Sequence, residues 1–281
     1  MAIAKPPLKW VGGKTKLLPE LVARMPKTYG RYHEPFVGGG ALFFHLAPAR
    51  ASLSDMNGAL IRTYRGLARD VIRVIDHLKA HKYRHGGDAA YYYAVRDDWN
   101  SHRWQGDPAA EAAAFIYLNK TCFNGLWREN RKGEFNVPRG DYTDPAIYDA
   151  DNLRAAALLL TNAELKSMSY RFSLNGTHGA EEGDFVFCDS PYDPVSTTSS
   201  FTSYVKEPFG KEQQQELASV ARALKARGVN VMLTNNDTPF VRSLYEDFNI
   251  DNVKCSRSIN SRGDRRGAVD EVIITNYERT A

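Results

Sequence analysis

The stretch DFVFCDSPYDP, residues 184–194, decides the reading of the whole chain. An apolar run through Val186, Phe187 and Cys188 stops at an acid, Asp189, followed by Ser190, Pro191 and Tyr192. A buried parallel strand opening into a turn looks like this. Open α/β sheets carry their chemistry in the crevice just past such strand ends. The turn offers a carboxylate, the backbone carbonyl of Ser190 held by the rigid Pro191, and the flat ring of Tyr192. Two acceptors facing the exocyclic amine of adenine or cytosine would draw its delocalised lone pair toward tetrahedral geometry. A capped strand end would explain Asp and Pro, but not Tyr in the fourth place.

Other apolar runs end the same way. RYHEPFVGGG closes in glycines before ALFFHLA, a predicted helix. RASLSD ends at Asp55, GVNVMLTNND at Asn235, and DEVIITNY lies near the end of the sequence. The segment EQQQELASVARALKAR puts Leu217, Val220, Ala221 and Leu224 on one helical face and feeds the strand at Val229. Strand, helix and strand alternate, so the fold class is α/β. The middle differs. From about Gly58 to Thr143 it is rich in Tyr, Arg, His and Trp, helical first and then a long loop, LNKTCFNGLWRENRKGEFNVPRGDY. It reads as an insertion between two parts of an α/β core.

Composition sets bounds. The chain has 281 residues, 43% hydrophobic and 25% charged, as in ordinary soluble globular proteins. A net charge of +4 permits a nucleic-acid partner without demanding one. Three scattered cysteines form no CxxC, so neither a disulfide framework nor a zinc site is expected. The opening MAIAKPPLKW has no apolar signal core, and Ala155 to Leu160, the longest aliphatic stretch, is too short for a bilayer. A reduced cytoplasmic setting is expected.

Two glycine turns suggest a ligand. KWVGGKTK, Lys9 to Lys16, resembles a phosphate loop, but the first glycine of that pattern falls on Leu8, so ATP binding is not expected. PFVGGG lies between strand and helix, where glycines let backbone approach a ligand at a helix N-terminus. Asp55 closes the next strand, where Rossmann-type folds place an acid on ribose hydroxyls. Turn, helix, strand and acid together point to an adenosine-containing cofactor.

Taken together, these segments resemble the DNA adenine N6-methyltransferases of the Dam type (D12 class, alpha group). The resemblance spans nearly the whole chain in order: LKWVGGK, EPFVGGGALFFHL, LSDMN, NKTCFNGLWRENRKGEFNVP, CDSPYDPVSTTSSFTSY, VMLTNNDTPFVRSLY and RRGAVDEVIITNY. It implies a Rossmann-like S-adenosylmethionine-dependent methyltransferase core, a mostly parallel sheet flanked by helices. Residues 1–56 plus 144–281 would form the catalytic domain, and 57–143 an inserted helical and β-hairpin target-recognition domain. Trp10, Lys14, Phe36, Gly38, Gly40, Asp55, Met56 and Asp189 would line the S-adenosylmethionine pocket, with Ser169 and Tyr170 beside its adenine. Asp189, Ser190, Pro191 and Tyr192 would carry catalysis. Lys9, Asn124, Leu126, Arg128 and Pro138 would sit at DNA, and Phe123 takes the place of an aromatic that inserts beside the flipped adenine. Asn130, Arg131 and Arg139 are further DNA candidates, and around WRENRKGEF the rings of Phe123 and Trp127 mix with the forked donors Arg128, Asn130 and Arg131 as a nucleic-acid surface would.

The expected activity is site-specific transfer to adenine in duplex DNA, at GATC or a relaxed GATC-like site. Duplex DNA hides the amine, so the base must be flipped out. The expected partner is double-stranded DNA, with no membrane and no metal, and the protein a monomer in solution, with more than one copy able to occupy DNA. Two features depart from the family pattern. Ser190 stands where the family has Pro, and Arg139 and Asp141 stand where GATC-specific members carry an aromatic and a basic residue. The basic loop Ser256 to Gly267 reads as a solvated loop with some phosphate contacts. A second function class, a DNA-binding competitor or regulator without efficient transfer, rests on Ser190 alone. A third, methylation of another amide or amino acceptor, such as RNA or a protein glutamine, would need no DNA-recognition hairpin.

Overall fold

The computed structural model describes residues 4–86, 89–175, 179–194, 209–256 and 268–278. Its strands are β1 (Tyr32–Glu34), β2 (Ala51–Asp55), β3 (Ala163–Ser167), β4 (Phe185–Cys188), β5 (Asn230–Asn236), β6 (Asn249–Ser256) and β7 (Ala268–Thr275). They form one seven-stranded sheet of order β3-β2-β1-β4-β5-β7-β6. β1 pairs parallel with β4, β4 with β5 and β2 with β3. β7 lies antiparallel between β5 and β6. The sheet is therefore mostly parallel and flanked by helices, as expected of a methyltransferase core. The strand order reverses between β1 and β4, the place where such sheets open a ligand crevice at their carboxyl ends. Phe36 follows β1 there, and Asp189 follows β4.

The chain packs as two compact units. The first comprises Met1–Gly13 and Val37–Met168. It holds β2, β3 and helices α2 (Ala41–Leu46), α3 (Gly58–His85), α4 (Ala89–Asn100), α5 (Pro108–Thr121) and α6 (Ala150–Thr161). α5 starts on Asp107, whose carboxylate caps the N–H groups of Ala109 and Ala110, and Pro108 takes the position that needs no N–H. Its alanines and Phe115, Ile116, Tyr117 and Leu118 are buried nearly all round, so α5 is the central helix of this unit. α3 meets it at Gly66, where a Cβ would stand 2.5 Å from the Pro108 carbonyl oxygen. Only glycine allows that approach.

The second unit comprises Lys14–Phe36 and Ser169–Ala281. It holds α1 (Leu18–Val22), β1, α7 (Tyr170–Ser173), β4, α8 (Lys211–Ala226), β5, α9 (Pro239–Leu244), β6 and β7. β4 is buried at all four positions, which explains its unbroken apolar run. Leu217, Ala221 and Leu224 of α8 pack with Val186, Cys188, Val231, Leu233 and Tyr245, and Val220 lies at the edge of that core. The β4 turn thus rests on a rigid, fully packed base.

Among the described residues no helix is long and apolar enough to cross a membrane. No group of three or more His, Cys, Asp or Glu side chains there could hold a metal ion. The basic loop read at Ser256 to Gly267 lies outside the described residues from 257 on, as does the segment after Pro194 up to residue 208.

Candidate active site

Asp189 begins the turn where β4 stops. Its Oδ1 accepts from Lys14 Nζ at 2.7 Å and from Thr234 Oγ1 at 2.8 Å. Among the described residues no hydrogen bond reaches its Oδ2. One carboxylate oxygen is anchored twice and the other is left to accept. The Lys14 ammonium also stands 4.6 Å from the centre of the Tyr192 ring. The Tyr192 hydroxyl donates to Glu271 Oε2 at 3.0 Å, which fixes the ring by its rim. Burial, then the Asp189 and Glu271 carboxylates, raise this phenol well above its ordinary range, so it stays neutral. Ser190 is buried, and no hydrogen bond links its hydroxyl to a described residue. Cys188 sits in the core, and burial raises its thiol, so it is no nucleophile.

Past β1, the Phe36 ring lies 5.1 Å from Tyr170 and 5.8 Å from Phe209. Tyr170 is buried, and burial, helped by Glu216, pushes its phenol up to about 12. Ser169 caps α7 by accepting from the Arg171 N–H at 3.4 Å. Arg171 is held by an ion pair with Glu216.

The first unit carries the glycine turn. Gly38 and Gly40 have φ of +45° and +66°, the left-handed region that favours glycine. A Cβ on Gly38 would meet the Trp10 indole at 2.7 Å, so the turn lies flat against that ring. Asp55 accepts from the Gly38 N–H at 3.0 Å and from the Asn57 N–H at 2.8 Å. Burial raises its carboxyl above the ordinary value, partly opposed by the N–H groups of Asn57 and Gly38. A carboxylate has about four acceptor sites, so about two remain for vicinal hydroxyls. Tyr64 steadies the turn by donating to the Gly38 carbonyl at 2.7 Å, and Met56 beside Asp55 is exposed. Glycine turn, indole and partly used acid fit the ribose end of an adenosine ligand.

The same unit folds residues 122–139 into a hairpin. Cys122 bridges Arg139 and Glu129 bridges Phe135. The Phe123 N–H donates to the Pro138 carbonyl at 2.9 Å. Phe123 is 48% exposed on a tight turn whose Asn124 has φ +54°. Gly125 is required there, because a Cβ would strike the Lys9 side chain at 2.4 Å. Lys9 is tied by Asn119, whose side chain accepts its N–H at 2.9 Å and donates to its carbonyl at 2.8 Å. The Lys9 ammonium faces the Tyr142 ring at 4.2 Å. Asn119 also donates to the Gly125 carbonyl, so one buried amide joins Lys9 to the hairpin base.

The hairpin's other candidates differ in what they touch. Arg128 Nε donates to Asn136 Oδ1 at 2.7 Å, which aims its guanidinium. Asn130 accepts the Lys132 and Glu134 N–H groups and donates to Glu134 Oε2, so it shapes the tip. Arg131 and Pro138 are exposed, Leu126 and Arg139 partly so. Trp127, which sequence grouped with the DNA-facing rings, stacks on Phe115 at 3.8 Å and Phe135 at 4.4 Å as part of an internal ring cluster.

Sequence reasoning missed Thr234, Glu271, Asn119, Gln214 and Asn235. For four of them the signal was present: Thr234, Glu271, Asn119 and Asn235 are polar residues in segments otherwise buried, whereas Gln214 lies in a first turn with exposed neighbours; all five are almost fully enclosed.

Residues 10–259 match the family of D12 class N6 adenine-specific DNA methyltransferases. The type II methyltransferase M1.LlaDCHI of Lactococcus lactis subsp. cremoris is 40% identical over 274 residues, 97% of this chain and 95% of that one. The type II methyltransferase M.MjaIII of Methanocaldococcus jannaschii is 40% identical over 289 residues, covering 97% and 99%. The DNA adenine methylase of Escherichia coli K12 is 36% identical over 266 residues, covering 95% and 93%. With a family match over residues 10–259 and relatives 36–40% identical across nearly all its length, the chain belongs to the D12 class of N6 adenine-specific DNA methyltransferases.

Proposed function

We propose that the protein methylates the N6 amine of a flipped-out adenine at a specific duplex site, GATC or a relaxed GATC-like sequence, with S-adenosylmethionine as donor. The observation that carries the reading is Asp189: Oδ1 is locked by Lys14 and Thr234, and Oδ2 is bonded to no described residue. That oxygen and the Ser190 carbonyl would accept the two amine protons. As they do, nitrogen's lone pair leaves conjugation and becomes available for bonding. Tyr192 would offer its face to the base; stacking returns about 1–3 kcal/mol against a flipping cost of a few kcal/mol. Orientation of the amine would supply most of the acceleration. Asp189 would hold one amine proton by a hydrogen bond until methyl bonds to nitrogen and the sulfonium carbon–sulfur bond breaks; the surplus proton would then leave N6 along that hydrogen bond to solvent, and no covalent enzyme intermediate is needed.

Asp55 would take the ribose hydroxyls, with Trp10, Gly38, Gly40 and Met56 around it. Phe36, Ser169 and Tyr170 would attend the adenine of the cofactor, and Lys14 the Asp189 carboxylate. When bound, S-adenosylmethionine supplies an electrophilic methyl group on sulfonium. We assign target recognition to 57–143 and transfer to 1–56 plus 144–281. Lys9, Asn124, Leu126, Arg128, Asn130, Arg131, Pro138 and Arg139 would meet DNA. Phe123, exposed at the hairpin base, would fill the gap beside the flipped base. A monomer working on cytoplasmic DNA, in a restriction-modification or similar system, fits this reading.

The test is transfer of labelled methyl to unmethylated genomic DNA by the purified protein, followed by reading the sequence around each N6-methyladenine. Methylation confined to GATC and close variants is expected. Modification of cytosine, or of adenines in unrelated contexts, would refute the reading. Tight duplex binding without any transfer would favour a competitor.

A further inference from the structure

The far side of the catalytic turn is held by side chains to which no role has yet been given. Gln214, on α8, donates from Nε2 to the Pro191 carbonyl at 2.8 Å. Its Oε1 accepts from Asn235 Nδ2 at 3.1 Å. Asn235 Oδ1 accepts the N–H groups of Asp193 and Asn236, each at 2.9 Å. The path is closed: Pro191 carbonyl, Gln214 amide, Asn235 amide, Asp193 N–H, and back through Tyr192. Every donor points the same way around it, so turning over either amide breaks at least two bonds. Outside the ring, Thr238 Oγ1 donates to Asp193 Oδ2 at 2.8 Å, and Asn236 Nδ2 donates to the Asp193 carbonyl. Gln214 and Asn235 are 1% and 2% exposed. A broken bond here leaves a buried polar group unsatisfied, so the ring is held as one unit.

We infer that Gln214 and Asn235 are positioning residues for methyl transfer: their amide ring fixes the turn from Ser190 to Asp193, and hydrogen bonding supplies rigidity that Ser190, unlike a proline, does not. Neither side chain touches the reacting amine in this scheme. Both act by setting where the Tyr192 ring and the Ser190 carbonyl stand. The inference uses the transfer reading above for its kinetic arm only.

Two variants test it. Gln214→Met keeps the length of the side chain and removes both bonds. Asn235→Asp keeps the two accepted N–H groups and removes the donor to Gln214. Each should slow single-turnover methylation of a GATC duplex by about 10- to 100-fold, the penalty of a reacting group misplaced by an ångström or less. Dissociation constants for the duplex and for S-adenosylmethionine should stay within about twofold, because the lost interaction is made through the turn and not with either ligand. The double variant should be as slow as the slower single, since both act through one ring. Amide hydrogen exchange across 189–193 should quicken while α8 keeps its protection. A normal single-turnover rate in Gln214→Met, a loss confined to KM, losses that multiply in the double variant, or unchanged exchange at 189–193 would each overturn the inference. If the unaltered protein methylates no duplex, the proposed function fails, and exchange at 189–193 then decides by itself whether the ring holds the turn.

Discussion

Substituting Asp189 separates what the carboxylate does for the fold from what it does for transfer. In Asp189→Ala, Lys14 Nζ and Thr234 Oγ1 lose an acceptor at 2.7 Å and 2.8 Å. The two charged side chains are 9% and 19% exposed, so the pair is largely out of water. Removing one member of such a pair costs about 3–5 kcal/mol. The Tyr192 ring still faces the ammonium and retains about 1 kcal/mol of that. A loss of about 2–4 kcal/mol of unfolding free energy is therefore expected. Transfer should fall by about 10²- to 10³-fold, the usual effect of deleting one group preorganised for developing charge. Asp189→Asn divides the two effects. Its oxygen, placed at the Oδ1 position, still accepts from Lys14 and Thr234, so most stability returns. Its NH2 then stands at the Oδ2 position and presents hydrogens to the incoming amine, so transfer stays as low as in Asp189→Ala. Urea unfolding gives the first quantity, and single-turnover methylation at saturating cofactor the second. DNA binding should persist in both, since phosphate contacts dominate it. Near-normal transfer by Asp189→Ala, or activity in Asp189→Asn that recovers along with stability, would refute the reasoning.

Three further outcomes follow from other residues. Arg128→Ala should cost about 1–3 kcal/mol of discrimination at one guanine beside the target adenine, because an arginine fork matches guanine O6 and N7; equal rates for all bases at that position in the unaltered enzyme would remove the role. Ser190→Pro should keep or raise single-turnover activity, since no hydrogen bond ties the Ser190 hydroxyl to a described residue and the needed carbonyl is unchanged; a large loss would reveal a side-chain role. Asp184 accepts the Arg31 N–H at 2.7 Å and the Glu181 N–H at 3.0 Å, and meets His33 Nε2 at 2.9 Å. Burial raises its pKa, but the Glu181 and Arg31 N–H groups and His33 outweigh burial and hold the carboxyl below its ordinary range. A depressed acid stabilises the fold above its unfolded pKa and loses that stability as pH falls through the folded pKa. Asp184→Asn should thus be about 1–3 kcal/mol less stable at pH 7, with the gap narrowing below the usual carboxylate range; a gap in urea midpoint unchanged by acid would contradict this.

The legible parts of the molecule are those where one side chain reports its own surroundings. β4 announced itself because a strand buried on both faces must be apolar throughout, and the first polar residue then marks its end. Asp55 and the glycine turn were legible for a similar reason, since a left-handed φ at Gly38 and Gly40 admits few residues other than glycine. Trp127 was misread because its neighbours in sequence are Arg128 and Asn130, whereas its neighbours in space, Phe115 and Phe135, arrive from α5 and the far arm of the hairpin. Gln214 is more instructive. It precedes Leu217, Ala218 and Ala221 by three, four and seven residues, and so stands in the apolar stripe of α8. EQQQE looks like a solvated first turn, and composition hides the periodicity. Thr234, Asn235 and Asn236 likewise continue the buried pattern of β5 with polar side chains. A buried amide needs partners, and these two segments meet only once the sheet has formed. The pattern alone therefore shows that something polar must be waiting inside. Its partner, the Pro191–Asp193 backbone, appears only when β4 and β5 pair, with Cys188 opposite Leu233. Polar residues that break an apolar stripe next to a reactive turn are then better read as the framework of that turn than as surface.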